Sequence, residues 1–306
     1  MNILDIKLTY KCNNHCSLCC QDYKIKNDES TAIVSDIFAY IEGMTINEIH
    51  DTKVVLTGGE PTLHPDILRI IKEFTNKGFA AIQLQTNLTL RSLSISVNDL
   101  VKAGVTSFGI SLHGCNSEMH ESFTRTEGSF INTVNNLTKL SHLGIPVALN
   151  CVISKYNLNS LSEIVTFVAE NHLANSIQFA FIHITGRADQ HHELVPTISS
   201  AAEAVRNAMT IGKQLGIDVK SEAIPFCMMR GFERNVAELE QLDNITVLDK
   251  MGAMHFSEHR ENCLKTKSKA CEQCLFYSMC EGPWAEYPKL FGWEEFIPVR
   301  RVKPYE

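Results

Sequence analysis

Short apolar runs alternate with longer amphipathic ones along most of the chain. The pattern predicts strands over 3–10, 53–57, 80–85, 107–111, 145–153 and 177–183. Between and after them it predicts helices over about 31–50, 64–77, 94–103, 129–143, 159–170 and 199–215. This repeated switch between strand and helix periods marks βα units and a mainly parallel sheet, an α/β fold. In 129–143, Phe130, Val134, Leu137 and Leu140 recur every third or fourth residue and form one inward stripe. Gly144 and Pro146 then stop the helix before the next strand. Six such units fall short of a complete eight-stranded barrel, and no Gly-rich dinucleotide loop follows the first strand. An open sheet and a partial barrel both fit the pattern.

Beyond residue 215 the alternation breaks. A short strand is predicted over 217–220, followed by irregular sequence that carries five of the 11 cysteines. The expected organisation is therefore a barrel-like domain over 1–215 and a smaller, metal-organised domain over 216–306. Trp284, Tyr287, Phe291, Trp293 and Phe296 in the Gly/Pro-punctuated tail are expected to pack over that second domain.

Composition narrows the function. The 44% hydrophobic content suffices for a substantial core, and a formal charge of -7 argues against a nucleic-acid backbone as the partner. The first residues, Asn2 to Leu8, read as a strand and lack the basic and apolar regions of a signal peptide. No run approaches the roughly 18 apolar residues that span a bilayer. A membrane is thus not an expected partner, and the cytoplasm is the expected location. The cysteines are unevenly placed, at 12, 16, 19 and 20, at 263, 271, 274 and 280, and singly at 115, 151 and 227. Clustered soft thiols in a reducing compartment favour zinc or iron–sulfur over disulfides.

Cys12, Cys16 and Cys19 follow the first strand as Cys-x3-Cys-x2-Cys, in a loop where parallel α/β architectures place chemistry. Three thiolates can hold three irons of a [4Fe-4S] cube and leave the fourth open to an external ligand. Structural zinc, closed by Cys20 or His15, is the alternative that spacing allows. One βα unit later the chain reads Thr57-Gly58-Gly59-Glu60-Pro61.

Together these two motifs resemble the radical S-adenosylmethionine superfamily, with the resemblance covering roughly residues 1–215. Leu18 departs from the aromatic residue often found before the last cysteine of that family. The resemblance implies a partial (β/α)6 TIM-like barrel and a reducible [4Fe-4S] cluster on Cys12, Cys16 and Cys19. It also implies cleavage of S-adenosylmethionine to methionine and a 5'-deoxyadenosyl radical. Gly58 and Gly59 would allow close backbone approach beside the cofactor, and Glu60 would set the polar environment of its amino group. Gln85-Thr86-Asn87, Ser111-Leu112-His113-Gly114 and Asn150 resemble strand ends that line the cofactor pocket, with Asn87, Ser111 and Asn150 as hydrogen-bonding groups. His113 is a candidate to face substrate or to orient its loop. Arg125, in Thr124-Arg125-Thr126-Glu127-Gly128, is a candidate carboxylate binder or a surface arginine. His191 and His192 have no partner spacing that makes a metal site.

Cys271-x2-Cys274-x5-Cys280-Glu281-Gly282 resembles the auxiliary-cluster region of the SPASM/Twitch branch, and the resemblance extends through Trp284, Tyr287 and Gly292 to Pro298. One auxiliary [4Fe-4S] cluster is the better count for five cysteines after residue 216. The favoured ligands are Cys227, Cys271, Cys274 and Cys280, with Cys263 as the competing fourth ligand or a free catalytic thiol.

The implied activity is hydrogen abstraction from a ribosomally made peptide, giving cross-linking, oxidation or epimerisation. Dehydrogenation or rearrangement of a small metabolite, such as a sugar or nucleotide, is the alternative. For epimerisation, Cys263, Cys115 and Cys151 are the thiols available as hydrogen donors, with Cys227 available too if it is not a ligand. A low-potential electron donor is an implied partner. Because the chain begins at the first barrel strand, a separate leader-peptide recognition protein or direct docking is expected for a peptide substrate.

Overall fold

The computed structural model describes residues 1–21, 32, 34–90, 94–241 and 244–300. Seven parallel strands run in chain order across one sheet: β1 (Asn2–Thr9), β2 (Thr52–Gly58), β3 (Ala81–Thr86), β4 (Ser107–Ser111), β5 (Val147–Val152), β6 (Ser176–Ala180) and β7 (Asp218–Glu222). On the outer side of β1 come β8 (Ile245–Asp249), parallel to it, and β9 (Gly252–His255), antiparallel to β8. The sheet order β7-β6-β5-β4-β3-β2-β1-β8-β9 leaves two separate edges, so the barrel is open.

Helices α1 (Val34–Glu42), α2 (Ile46–His50), α3 (Ile67–Lys77), α4 (Val97–Ala103), α5 (Ser117–Thr124), α6 (Ser129–His142), α7 (Leu161–Glu170) and α8 (Ile198–Leu215) connect the parallel strands. The long helix expected over 31–50 is two, and its first residues lie outside the described set. Gly43 interrupts it, and Thr45 starts the second piece with a capping box, its hydroxyl accepting from Glu48 N while Glu48 accepts from Thr45 N. Helix α5, β8 and β9 were not legible as elements. The strand expected over 217–220 is β7, and it pairs with β6, so the sheet continues past the boundary expected at residue 215.

Alternation along the strands separates two environments. Leu4, Ile6 and Leu8, Val54 and Leu56, Ile82 and Leu84, Phe108 and Ile110, and Ile177 and Phe179 are buried under the helices. On β7, Val219 meets the backbone of Gly212 in α8, so Lys220 and Glu222 take the opposite face. That inner face carries Asp5, Lys7, Thr57, Gln83, Gln85, Ser111, Asn150, Gln178 and Glu222. Eight-stranded parallel barrels fill this space with branched apolar side chains. Here the lumen is polar, which suits a cleft for polar ligands. Lys7 Nζ donates to Asp5 Oδ2 (3.0 Å) and Thr57 Oγ1 (2.9 Å) on one wall, and Gln178 Nε2 donates to Glu222 Oε2 (2.7 Å) on the other.

Phe74 of α3 has no exposed surface and meets Phe38 and Phe79 edge-on, with centroids 6.2 and 5.4 Å away. Phe74→Ala is expected to lower unfolding free energy by about 3–5 kcal/mol, measurable by urea denaturation, because the rigid α3–sheet interface cannot collapse into the space left.

Candidate functional site

The loop after β1 carries Cys12, Cys16 and Cys19, all half-buried. Burial pushes the Cys12 thiol up to about 12, with Glu60 and Cys19 adding to the rise. Cys16 is raised further, by burial first and then by Cys12 and Cys19. Cys19 thus bears on both Cys12 and Cys16, which places the three thiols close together. Three soft thiols in one loop suit an iron–sulfur group. Among the described residues, no three His, Cys, Asp or Glu side chains are placed to hold a metal ion. Neighbouring loops fix the turn: His15 N donates to Thr124 O (2.9 Å), Ser17 N to Phe123 O (2.8 Å) and Asn13 Nδ2 to Thr89 O (2.8 Å).

The loop after β2 lies directly on this one. A Cβ on Gly58 (φ +132°) would strike Thr9 O, and one on Gly59 would stand 2.6 Å from Tyr10 O. Gly59 N donates to Thr9 O (2.7 Å) and Glu60 N to Lys11 O (2.8 Å). The glycines thus make room for the cluster loop's own backbone, a tighter requirement than the approach to cofactor expected of them. Glu60 is fully buried and accepts from Thr62 N (3.1 Å), Thr62 Oγ1 (2.6 Å), Thr86 Oγ1 (2.7 Å) and Asn87 N (2.7 Å). Burial raises its pKa, and these four donors oppose the rise. Its carboxylate is thereby committed to protein groups, the Asn87 backbone N–H among them. The Asn87 amide donates to Asn13 Oδ1 (2.8 Å) and stands 3.8 Å from Cys12 Sγ.

Ser111 and Asn150 are register partners at the ends of β4 and β5, both on the lumen face. Asn150 Oδ1 is buried with no hydrogen-bond donor among the described residues, an acceptor suited to a polar ligand. His113 is placed differently. Its ring is buried on Phe123 (3.8 Å between centroids), its Nδ1 accepts from Val152 N (3.3 Å), and its carbonyl accepts from Asn157 Nδ2 (3.1 Å). Burial holds its pKa well below the usual histidine range. These contacts tie the His113 ring and backbone to Phe123, β5 and Asn157. Arg125 is exposed at the left-handed C-cap of α5, with φ +52°. His191 and His192 are surface side chains paired with Glu193 (3.0 Å) and Asp189 (3.2 Å).

In the C-terminal region, Cys227, Cys271, Cys274 and Cys280 line one small cavity, with Phe276, Trp293 and Phe296 among its apolar walls. Burial pushes the Cys227 thiol up to about 12, with Cys280, Cys274 and Cys271 each adding to it. Cys263 is exposed and does not line this cavity. The tail aromatics pack back onto the barrel: Tyr287 meets Phe181 edge-on (5.4 Å), and Trp284 Nε1 donates to Phe181 O (3.2 Å).

Between cavity and barrel lies a buried charged layer that the sequence reading missed. Arg260 Nη2 donates to Glu238 Oε1 (2.9 Å), with Glu281 (3.0 Å) and Glu222 (3.6 Å) as further ion partners. Lys265 Nζ sits 3.8 Å from the centre of the Trp284 ring, and that ring also stacks on His183 at 4.2 Å. Burial pushes Lys265 down to about 8. Glu281 directly follows Cys280, and Glu222 ends β7, so this layer ties the thiol cavity to the lumen. A charged residue beside a motif cysteine was the only local signal for it.

Glu60→Gln is expected to turn an amide N–H₂ toward groups that also donate, costing about 1–3 kcal/mol. Denaturant titration measures that loss, and the cluster loop should become more accessible to thiol alkylation.

A sequence model described as the Radical SAM superfamily matches residues 6–168. The chain is 33% identical over 144 residues to an AdoMet-dependent heme synthase of Methanosarcina barkeri, covering 47% of this chain and 40% of the relative. It is 26% identical over 313 residues to the antilisterial bacteriocin subtilosin biosynthesis protein AlbA of Bacillus subtilis, covering 90% of this chain and 65% of the relative. The chain thus spans less than two thirds of either relative's length. Its fold resembles Streptococcus suis SuiB solved with S-adenosylmethionine, at TM-score 0.69 and 15% identity, covering 98% of this chain and 76% of that one. SuiB bound to its precursor peptide SuiA gives TM-score 0.67 at 15% identity, covering 98% and 74%. The match over more than half of the 306 residues begins in β1, takes in the three-thiol loop and the glycine segment laid against it, and ends in α7; the chain belongs to the Radical SAM superfamily.

Proposed function

We propose that this enzyme abstracts hydrogen from a ribosomally made peptide and leaves it cross-linked, oxidised or epimerised. The observation that carries the reading is the extent of likeness to AlbA, across 90% of the chain, against 47% and 72% for two AdoMet-dependent heme synthases. The SuiB fold, solved with a precursor peptide, supports it by covering 98% of the chain.

In this proposal Cys12, Cys16 and Cys19 hold the radical-generating [4Fe-4S] cluster, while Gly58, Gly59, Asn87, Ser111 and Asn150 line the S-adenosylmethionine site, with Glu60 fixing Asn87. Cys227, Cys271, Cys274 and Cys280 hold one auxiliary cluster. Bound there, the first cluster would supply the electron that cleaves S-adenosylmethionine to methionine and a 5'-deoxyadenosyl radical. The chain's part is to hold one substrate hydrogen close to that radical and keep water out, since selectivity comes from position. The polar lumen receives the cofactor, and the layer of Glu222, His183, Trp284 and Lys265 bounds the substrate space on the side of the thiol cavity. Lys265, whose pKa burial lowers to about 8, is a candidate proton donor or acceptor there. Cys263, exposed, is the thiol in reach of solvent for a hydrogen-donor role. A low-potential electron donor, a separate leader-recognition protein and a cytoplasmic location complete the proposal. Among the described residues no helix is long and apolar enough to cross a membrane.

Counting iron after anaerobic reconstitution tests the ligand set. Cys227→Ala is expected to lose about half the iron and Cys263→Ala none, whereas the reverse result would exchange their roles.

Incubating reconstituted enzyme with S-adenosylmethionine, a strong reductant and deuterated peptides tests the substrate. Deuterium in 5'-deoxyadenosine with a matching peptide mass change is the expected result. Undeuterated 5'-deoxyadenosine beside unchanged peptide would instead favour a small metabolite, as the heme synthase likeness would suggest.

A further inference from the structure

The loop after β6 makes a contact whose consequence reaches the reductive step. Its backbone lies on that of the cluster loop. Gly186 has φ +62°, and a Cβ there would stand 2.5 Å from Cys19 O and 3.0 Å from Cys20 O, so only glycine fits. Arg187 N donates to Cys19 O (3.0 Å), and the Arg187 guanidinium Nη1 donates to Cys16 O (2.7 Å). Thr185 Oγ1 reaches Cys20 O at 3.5 Å. Thr185 and Arg187 thus hold the carbonyls of two of the three motif cysteines and of Cys20, and Gly186 between them lets the two backbones meet.

A guanidinium is always charged, and its rigid fork holds position once bonded. It is half-buried here, so water screens it only in part. The group this loop would hold gains one negative charge on reduction. A cation fixed beside Cys16 stabilises that reduced form more than the oxidised one. The direction survives any further partner of Arg187: removing the cation leaves a paired carboxylate less compensated, which disfavours reduction in the same sense.

We infer that Arg187 is a positioning residue that clasps the cluster loop through Cys16 and Cys19 and makes the cluster easier to reduce. The inference rests on ligation by Cys12, Cys16 and Cys19.

The experiment is an anaerobic redox titration of reconstituted full-length protein, followed by electron paramagnetic resonance. The signal that responds to added S-adenosylmethionine is followed, so that the auxiliary cluster does not contribute. Wild type is compared with Arg187→Gln, which keeps an N–H donor but no charge, and Arg187→Lys, which keeps the charge. Arg187→Gln is expected to disfavour one-electron reduction by roughly tenfold, a shift of about 59 mV to more negative potential. Arg187→Lys is expected to stay within about threefold of wild type. A wild-type potential in Arg187→Gln, or equal shifts in both variants, would overturn the electrostatic role. Loss of the signal in Arg187→Gln but not in Arg187→Lys would support it, whereas loss in both would leave only the clasp. Cys16→Ala is the separate control: if it keeps the responsive signal, the ligand assignment fails, whatever the Arg187 variants do.

Discussion

Burying the Glu60 carboxylate is worthwhile only because every neighbour that faces it donates. Two backbone N–H groups and two hydroxyls, from Thr62, Thr86 and Asn87, close round it. An unpaired carboxylate in that position would cost several kcal/mol, so the four partners cannot move independently. The exits of β2 and β3 are therefore locked to one another. Through Gly59 N, Glu60 N and the Asn87 amide, the same lock takes hold of the loop that carries Cys12. The thiols reach a defined arrangement because of a carboxylate that none of them touches by a hydrogen bond.

The open sheet makes this lock useful. Parallel strands deliver all their exits to one end, and each exit here brings a different part: thiols after β1, the glycine segment after β2, Asn87 after β3, and the Gly186–Arg187 clasp after β6. Because the sheet does not close among the described residues, its inner face is left to polar residues. A closed barrel of this kind would fill the same space with branched side chains.

The C-terminal region is joined to the barrel by charge as well as by aromatic packing. Arg260 and Lys265 stand among Glu222, Glu238 and Glu281, all partly or wholly out of water. Ion pairs so buried contribute little net stability over an apolar replacement, but breaking one is expensive. Their value here is in position: Glu281 follows Cys280, so the thiol cavity cannot shift without disturbing β7.

Thiol spacing, the Gly58-Gly59 pair and the βα alternation were legible because each is written within a few neighbouring residues, where local geometry decides the outcome. The apolar stripe of Phe130, Val134, Leu137 and Leu140 placed a helix close to its observed Ser129–His142 for the same reason. Other features depended on strand order. Arg187 and Cys16 are 171 residues apart and meet only because β6 and β1 send their exits to the same end of the sheet. His113 read as a group to face substrate or to orient its loop, and its contacts with Phe123 and the β5 backbone, which bury the ring, come from distant sequence. Cys227 lies far from its companions in sequence and shares their cavity through the turn after β7. The sequence by itself determined which local elements and thiol motifs exist. Only the tertiary structure decided which of them touch, because long-range contacts are set by sheet order and burial, which no short stretch of sequence contains.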